Sequence, residues 1–244
     1  MGTHNGARTA SGELHEEGTR DKENAMNAAY LFVTGPLAWA AFLVFGLGLI
    51  GKLGYSLYMA RARDPEVLRY FSLKYALRSI LSWLSPFRAR SWRLQPDLTG
   101  ITFIFHICLI LVPVFLSAHI VLLEQKWGFS YWSLPDSVAD VLTVVVILSC
   151  LYFAGRRALS QQLRFTSGLQ DWLILGLVLL PFLTGFVAYH QLGGYQVVLI
   201  LHIVCGEILL AAIPFTRLSH MFLGPLLRAH IGSEFGLIRR ARDW

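Results

Sequence analysis

The chain has 244 residues, of which 55% are hydrophobic and only 15% charged, and its mean hydropathy is +0.53. A soluble domain of this length normally carries about 25% charged residues, so the composition excludes an ordinary soluble globular protein. The formal net charge of +6 gives no support to nucleic-acid binding, because the basic residues are concentrated in a few loops between apolar segments.

Five apolar runs reach or exceed the roughly 17 to 20 residues that cross a bilayer as a helix. They are Ala28–Gly51, Leu98–Leu123, Val138–Ala154, Leu169–Tyr189 and Tyr195–Phe215. We therefore predict an all-α fold, an integral membrane bundle of five transmembrane helices over residues 28–222, with no second folded domain.

A segment outside the apolar runs lies at each end of the chain, and the one at the start, residues 1–27, is polar and acidic. Residues 1–27 lack the basic start, short apolar core and small-residue cleavage site of a signal peptide, so we predict a disordered external tail and an uncleaved first helix. Residues 223–244 are predicted to form a tail on the cytoplasmic side.

Charge predicts the orientation of the bundle. The loop 59–97, the loop after the third helix and the C-terminal segment are rich in arginine, whereas the opposite side has few basic residues. Loops rich in Lys and Arg stay in the cytoplasm. We therefore expect the N-terminus outside and the C-terminus inside.

Residues 66–93, within the basic loop, contain leucines and Ile80 at helical spacing together with Arg69, Lys74 and Arg78. This pattern predicts a helix along the cytoplasmic face of the membrane, with its basic residues near anionic headgroups. A docking surface for a cytoplasmic subunit explains the same pattern, and the sequence leaves both interpretations open.

Cysteine usage argues against a cluster or a covalently attached haem in this chain. Cys108, Cys150 and Cys205 are isolated within predicted helices, and the sequence contains no CxxC, CxxCH or ferredoxin spacing. An iron–sulfur cluster would therefore have to reside on a partner. The sequence also shows no independent catalytic motif.

Four histidines within two predicted helices indicate a cofactor. His202 and His220 are eighteen residues apart, which is about five helical turns, so they share a face near opposite sides of the membrane. In the antiparallel second helix, His106 comes level with His220 and His119 with His202. Facing imidazoles at two depths are what two bis-histidine b-type haems require, and their irons would be the only metals.

One spacing agrees poorly with this scheme. His106 and His119 are thirteen residues apart, which leaves them about 140° out of phase on a straight helix. Pro113 lies between them and predicts a kink. Either the two haems flank different sides of this helix, or one of the two histidines is not a ligand.

The segment PFTRLSH (Pro214–His220), the interval from His202 to His220, and GRRALSQQLRFTSGLQDWLILGLVLL (Gly155–Leu180) carry a resemblance to a known family. Over about residues 98–222 the chain resembles the gamma-subunit cytochrome b of respiratory nitrate reductase. It also resembles the cytochrome b subunits of transmembrane redox complexes in sulfate-reducing bacteria. The long loop 59–97 departs from the nitrate reductase form and favours the second group.

The resemblance implies a dihaem cytochrome b of a respiratory chain in the bacterial inner (cytoplasmic) membrane, used in anaerobic respiration. It implies two haem b groups, with His106 and His220 at the inner haem and His119 and His202 at the outer haem. Menaquinone or another quinone would react near the outer haem. The implied partners are a cytoplasmic iron–sulfur subunit related to heterodisulfide reductase, and further membrane and periplasmic redox subunits.

Four other polar residues are candidates for the same function. Arg217 is expected to pair with a haem propionate, or to be an ordinary cytoplasmic arginine. Lys126 and His190 lie at the outer level as quinone candidates, or as ordinary interfacial residues. Glu207 is a further quinone or proton-relay candidate, or forms a hydrogen bond between helices. A haem-free anchor or proton-translocating subunit is the alternative function.

Overall fold

The computed structural model describes residues 4–64, 66 and 69–243, with side chains from residue 17 onward. The described residues form helices and connecting turns and contain no β-strand. Five helical segments of this described part are long and apolar enough to cross a membrane, which confirms the predicted all-α bundle and shows a multi-pass membrane protein.

The first membrane-spanning segment is longer than predicted. Helix α1 (His4–Phe32) continues through a single π-helical turn (Val33–Leu37, containing Pro36) into α2 (Ala38–Arg63). The expectation of a disordered tail is therefore wrong for residues 4–27, which are helical, while residues 1–3 lie outside the described part. Residues 4–27 contain four Glu and three Ala, which are strong helix formers.

The second apolar run forms two helices instead of one. Helix α5 (Pro96–Phe115) ends before Leu116, whose backbone is extended with φ −68° and ψ 129°, and α6 (Ser117–Trp127) begins directly after it. The predicted kink at Pro113 is thus a complete interruption of the helix three residues further on.

The remaining spans agree closely with the predicted runs. Helix α7 (Asp136–Leu159) is followed by the short α8 (Gln161–Thr166), then α9 (Leu169–Tyr189) and α10 (Tyr195–Ala212). Helices α5, α7 and α9 share a core that includes Phe105, Cys108, Val146, Cys150 and Phe182. Cys108 and Cys150 are thus small core side chains, as their isolation in the sequence suggests.

Besides α6 and α8, three more α-helices of the described residues lie outside the five spans. Helix α3 (Leu73–Trp83) and the one-turn α4 (Arg90–Arg93) lie in the basic loop, and α11 (His220–Leu237) follows a 3-10 turn (Arg217–Ser219). Helices α3 and α11 pack closely along small residues, and Gly232 and Gly236 allow their backbones to approach Ser79 and Tyr75. The C-terminal segment is therefore mainly helical.

Candidate functional site

The four histidines predicted to act together form two pairs in the structure. His106 on α5 faces His220 at the start of α11, with 6.0 Å between ring centroids. His119 on α6 faces His202 on α10, with 6.1 Å between ring centroids. We call these the first and the second histidine pair. Both pairs have the composition that the sequence predicted.

Each of the four rings is oriented in the same way. The Nδ1 atoms hydrogen-bond to backbone carbonyls at 2.7 to 2.9 Å: His106 to Thr102, His119 to Pro113, His202 to Pro181 and His220 to Arg217. A carbonyl can only accept, so Nδ1 carries the proton in every case. The other ring nitrogen, Nε2, is left with its lone pair, which is the form that coordinates a metal ion.

The interruption of the second span brings His119 into position. A straight helix would leave it out of phase with His106, but the extended residue Leu116 changes the direction of the chain just before it. The carbonyl groups that the break releases all find donors. His119 Nδ1 donates to the carbonyl of Pro113, the Tyr131 hydroxyl to that of Val114, and the amide of Leu134 to that of Phe115.

His202 lies against the neighbouring helix α9. A Cβ atom added to Gly185 would come within 2.9 Å of His202 Cε1, so this position has room only for glycine while the imidazole stays where it is. The Pro181 carbonyl, one turn earlier, accepts from His202 Nδ1 at 2.9 Å. Helix α9 therefore determines both the position and the orientation of the second pair's buried ring.

His220 depends on the turn between α10 and α11, and helix α2 holds one side of that turn. Lys52 Nζ donates to the carbonyl of Pro214 at 2.8 Å. A Cβ added to Gly48, one turn before the lysine, would lie 2.9 Å from the Phe215 ring. The glycine lets α2 approach the turn, and the lysine then binds a carbonyl that the end of α10 leaves free.

Helix α9 holds the other side of the same turn. Arg217 Nη1 donates to Asp171 Oδ1 at 2.6 Å, while Asp171 Oδ2 accepts the Gly168 amide at 3.0 Å and so caps α9. Arg157 lies 3.8 Å from the same carboxylate. Since the Arg217 carbonyl orients His220, the Asp171–Arg217 ion pair fixes the backbone to which this histidine is bound.

A cavity of about 410 Å³ lies beside this ion pair. Its lining includes Arg156, Arg157, Arg217, Ser167 and Thr102, the residue whose carbonyl orients His106. The cavity therefore combines three cationic side chains with backbone that positions both rings of the first pair. Such a place suits carboxylate groups, which guanidinium groups bind through paired hydrogen bonds.

The geometry of the rings fits a bis-histidine haem. A metal–imidazole bond is about 2.0 to 2.1 Å long and a ring centre lies about 1.1 Å from its nitrogen, so rings on opposite sides of one metal have centres about 6 Å apart. Both pairs show this separation. Helix α10 packs on α9 and α2, α11 on α3, and α5 on α7. In the described part of the chain, α5 is therefore not packed tightly against α11, nor α6 against α10.

The pairs do not suit a smaller metal centre. A bare transition-metal ion bound by protein normally needs three or four ligands, whereas a porphyrin supplies four nitrogens and needs only two from the protein. Within the described residues there is no group of three or more His, Cys, Asp or Glu side chains that would hold an ion. The donor set therefore fits haem better than a structural or catalytic metal.

The other candidates do not form one cluster with the histidines. Lys126 lies exposed in the last turn of α6, and His190 binds Asp140 at 3.0 Å at the end of α9. Both carboxylate oxygens of Glu207 on α10 are buried and lack a hydrogen-bond partner. No hydrogen bond or ion pair joins these three residues to one another in the part of the chain that the structure describes.

Several contributing residues were not assigned a role from the sequence. They are Lys52, Arg157, Asp171, Gly185 and Asp140. Lys52 at the end of an apolar run and Asp171 at the start of a membrane helix are both unusual, and each could have been recognised from the sequence as a candidate functional residue. Gly185 carried none, because nothing in the sequence indicates which ring passes over it.

The chain has a relative of similar length. It is 40% identical over 217 residues to a protein of Nitratidesulfovibrio vulgaris (strain Hildenborough), and the alignment covers 86% of this chain and 95% of the relative. No family model matches the chain.

Proposed function

The chain belongs to the same protein family as its Nitratidesulfovibrio vulgaris relative. We propose that it is a dihaem b-type cytochrome subunit of a respiratory membrane complex. In this function it transfers electrons between membrane quinone and an iron–sulfur partner subunit. The observation that carries the proposal is the pair of 6.0 Å and 6.1 Å ring separations at two depths of a membrane bundle.

His106 and His220 would hold one haem b, and His119 and His202 the other. When bound, each haem would supply a one-electron carrier within the bilayer, where a protein without cofactors has none. The chain itself contributes the axial nitrogens and fixes their tautomers through four backbone carbonyls. His106, His119 and His202 are half-buried, whereas His220 is exposed beside the arginine-lined cavity.

The arginine-lined cavity would receive the propionates of the haem at the first pair. Arg157 and Arg217 are close enough to Asp171 to be held in place by it, and Arg156 lines the same cavity. The proposed role of Arg217 thus combines two contacts. The Arg217 side chain would bind the haem propionates, and the Arg217 backbone carbonyl orients His220.

Quinone would react at the end of the bundle that carries the second pair. Oxidation of a quinol releases two electrons and two protons, so the reaction needs a proton acceptor as well as an electron acceptor. His190, held by Asp140 at the end of α9, and Lys126 at the end of α6 are the groups at this end that would bind or deprotonate the quinol.

The partner would bind at the other end of the bundle, where the loop 59–97 and α11 lie next to the first pair. This end is cytoplasmic under the positive-inside rule, because it carries most of the arginines. An iron–sulfur subunit of the heterodisulfide-reductase type is the proposed partner, with further redox subunits in the membrane and periplasm. The membrane would be the bacterial cytoplasmic membrane.

The purified chain tests this proposal directly. A reduced-minus-oxidised spectrum should show sharp b-type bands, and a pyridine haemochrome assay should approach two haems per chain. A value of one would reject one of the two pairs, and the absence of b-type bands would reject the function. Reporter fusions at residue 244 and within the loop 59–97 should both report a cytoplasmic position. An external C-terminus would reverse the two ends.

A haem-free proton-translocating subunit is the second candidate, and the buried, unpartnered carboxylate of Glu207 is the observation that favours it. An isolated carboxylate inside a membrane is costly and is commonly part of a proton path. The two functions differ in the spectrum. If proton translocation were the function, the chain would show no b-type bands, and Glu207→Gln would abolish proton transfer.

A further inference from the structure

A row of leucines on α3 and directly after it points away from the rest of the protein. Leu73, Leu77, Leu81 and Leu84, which we call the leucine stripe, are 63%, 49%, 61% and 58% exposed. The side chains that α3 buries are the small ones, Ala76, Ser79 and Ser82. This is the reverse of a helix on a soluble protein, where the leucines would face the core.

The packing between α3 and α11 explains how small residues come to form the buried face. A Cβ on Gly232 would lie 2.3 Å from Ser79 Cβ, and one on Gly236 would lie 2.2 Å from the Tyr75 ring. Ser233 Oγ accepts the Ser72 amide at 3.1 Å. Close backbone approach through Gly and Ser is typical of helix pairs in or near a bilayer. The contact leaves no room for the leucines.

The chain after α11 strengthens this pair. Asp243, whose side chain is 1% exposed, binds Arg228 at 2.7 Å and also accepts from the Ser79 hydroxyl. The arginine belongs to α11 and the serine to α3, so one carboxylate joins both helices. The α3–α11 pair is therefore a defined unit with one apolar face that the described part of this chain leaves uncovered.

The position of this unit identifies what covers the stripe. Helix α2, which crosses the membrane, ends at Arg63, and α5, which crosses back, begins at Pro96, so α3 lies at the membrane surface between two spans. Exposed Met221, Leu226 and Leu227 on α11 add apolar surface at the same end. A bilayer is thus already adjacent to the unit.

Charge around the stripe agrees with an anionic surface. Residues 59–97 contain eight basic side chains (Arg61, Arg63, Arg69, Lys74, Arg78, Arg88, Arg90, Arg93) against Asp64, Glu66 and Asp97. At about 100° per residue, Lys74 lies about 60° from Leu77 around α3, on the flank of the stripe. A flanking lysine can extend its ammonium group to headgroup phosphates while its neighbours enter the acyl region.

We propose that the α3–α11 pair lies in the membrane interface, with the leucine stripe inserted among acyl chains and Lys74, on its flank, bound to anionic headgroups. The stripe is purely aliphatic, whereas the centres of protein–protein contacts are enriched in aromatic residues. This composition favours lipid over a docked subunit. A consequence is that the loop 59–97 stays fixed near the first histidine pair, independently of whether a partner is present.

Photo-crosslinking of the full chain tests the proposal. Benzoylphenylalanine would replace Leu77 or Leu81, and in a matched control Arg69, whose side chain is 72% exposed in the turn before α3. We expect lipid adducts at Leu77 and Leu81, detected by mass spectrometry, and several-fold fewer at Arg69. In nanodiscs, adding phosphatidylglycerol to phosphatidylcholine should increase the adducts at both stripe positions.

The same positions are then irradiated in native membranes that contain the partner complex. Lipid adducts at both stripe positions would support the proposal. Adducts to another protein chain would show that the stripe is a docking surface, and would overturn it. Equal labelling at Leu77, Leu81 and Arg69 would also overturn it, because the stripe would then be no closer to lipid than the turn is.

Discussion

The two histidine pairs have nearly the same ring separation but are built in different ways. The first pair depends on charged side chains that reach over long stretches of sequence, from Lys52 to Pro214 and from Asp171 to Arg217. The second pair depends on backbone, namely the break at Leu116 and the close passage of His202 over Gly185. The same ligand geometry is thus obtained once from polar contacts and once from chain shape.

The rings also differ in mutual orientation. The planes of His106 and His220 are 82° apart, whereas those of His119 and His202 are 12° apart. The first pair lies beside an arginine-lined cavity and the second is set by apolar helices and loop contacts. The comparison indicates that charged contacts position the first pair and apolar packing positions the second. Substitutions should therefore affect one pair without the other.

Removing one of the proposed axial ligands gives the largest expected difference between the two pairs. His202→Ala and His220→Ala should each lower the haem content from two to one per chain, because one iron loses a ligand while the bundle remains packed. With the partner complex present, His202→Ala should abolish haem reduction by a quinol analogue in stopped-flow spectroscopy. His220→Ala should leave the remaining haem reducible and stop transfer to the partner. The reverse result would place the quinone at the first pair.

Adding one methyl group at Gly185 should act on the second pair alone. In Gly185→Ala the new Cβ would lie 2.9 Å from His202 Cε1, so the ring must move and the second site should lose most of its haem. Gly176→Ala on the same helix is the matched control, because no atom lies within 4 Å of its added Cβ. Haem content by haemochrome assay distinguishes them, and equal loss in both variants would contradict the role of Gly185.

The difference in ring orientation should be visible in electron paramagnetic resonance. Crossed imidazole planes bring the iron d orbitals close to degeneracy, and parallel planes separate them. The oxidised protein should therefore show two low-spin signals, with the larger maximal g value from the first pair. His220→Ala should remove that signal and His202→Ala the other. Two identical signals would mean that the rings adopt a common orientation when haem is bound.

The smallest effect is expected from the ion pair behind His220. Asp171→Asn keeps an oxygen to cap α9 but removes the charge that holds Arg217 and Arg157, so haem at the first pair should be bound about tenfold more weakly. Asp140→Asn, which removes the charge that accepts the His190 hydrogen bond at the other end of α9, is the control. Haem transfer to apomyoglobin measures both. Faster loss of haem from the second pair in Asp171→Asn would refute this assignment.

Much of this arrangement follows from the sequence because helices in a bilayer have few alternatives. Apolar runs of sufficient length must become helices to satisfy their backbone groups, which is why the span Leu169–Tyr189 was predicted to the residue. Depth follows from rise per residue, so counting predicted the partners of His202 and His220 correctly. The single helix assumed for these two histidines is wrong, because α10 ends at Ala212 and His220 begins α11. Rotation about the helix axis follows equally simply, but only while the helix is continuous.

The break at Leu116 lies beyond such counting. It is stabilised by Tyr131 and Leu134, which follow it in the sequence, and no local pattern reveals that these residues return to the end of α5. The tail of residues 4–27 shows the opposite case. Its polar composition suggested disorder, whereas its helix-forming residues, joined to a membrane helix, extend that helix outward.

The α3–α11 contact was also hidden from the sequence. The leucine spacing in the loop 59–97 predicts a helix, and α3 is present, but the spacing does not say which face meets protein. The buried face of α3 is determined by Gly232 and Gly236, about 150 residues later in the chain, because they leave room for Ser79 and Tyr75 to approach closely. Asp171 and Arg217 were each visible in the sequence, as an acid at the start of a helix and as a candidate site residue, but their pairing was not.

The hydrogen bonds at the break have a consequence for the order of events during synthesis. The donors that satisfy the carbonyls of Pro113, Val114 and Phe115 come from His119, Tyr131 and Leu134, which leave the ribosome later. A carbonyl left without a donor in lipid costs several kcal/mol. The newly inserted segment should therefore remain one straight helix until the following loop arrives, and His119 turns toward His202 only as the nascent protein nears completion.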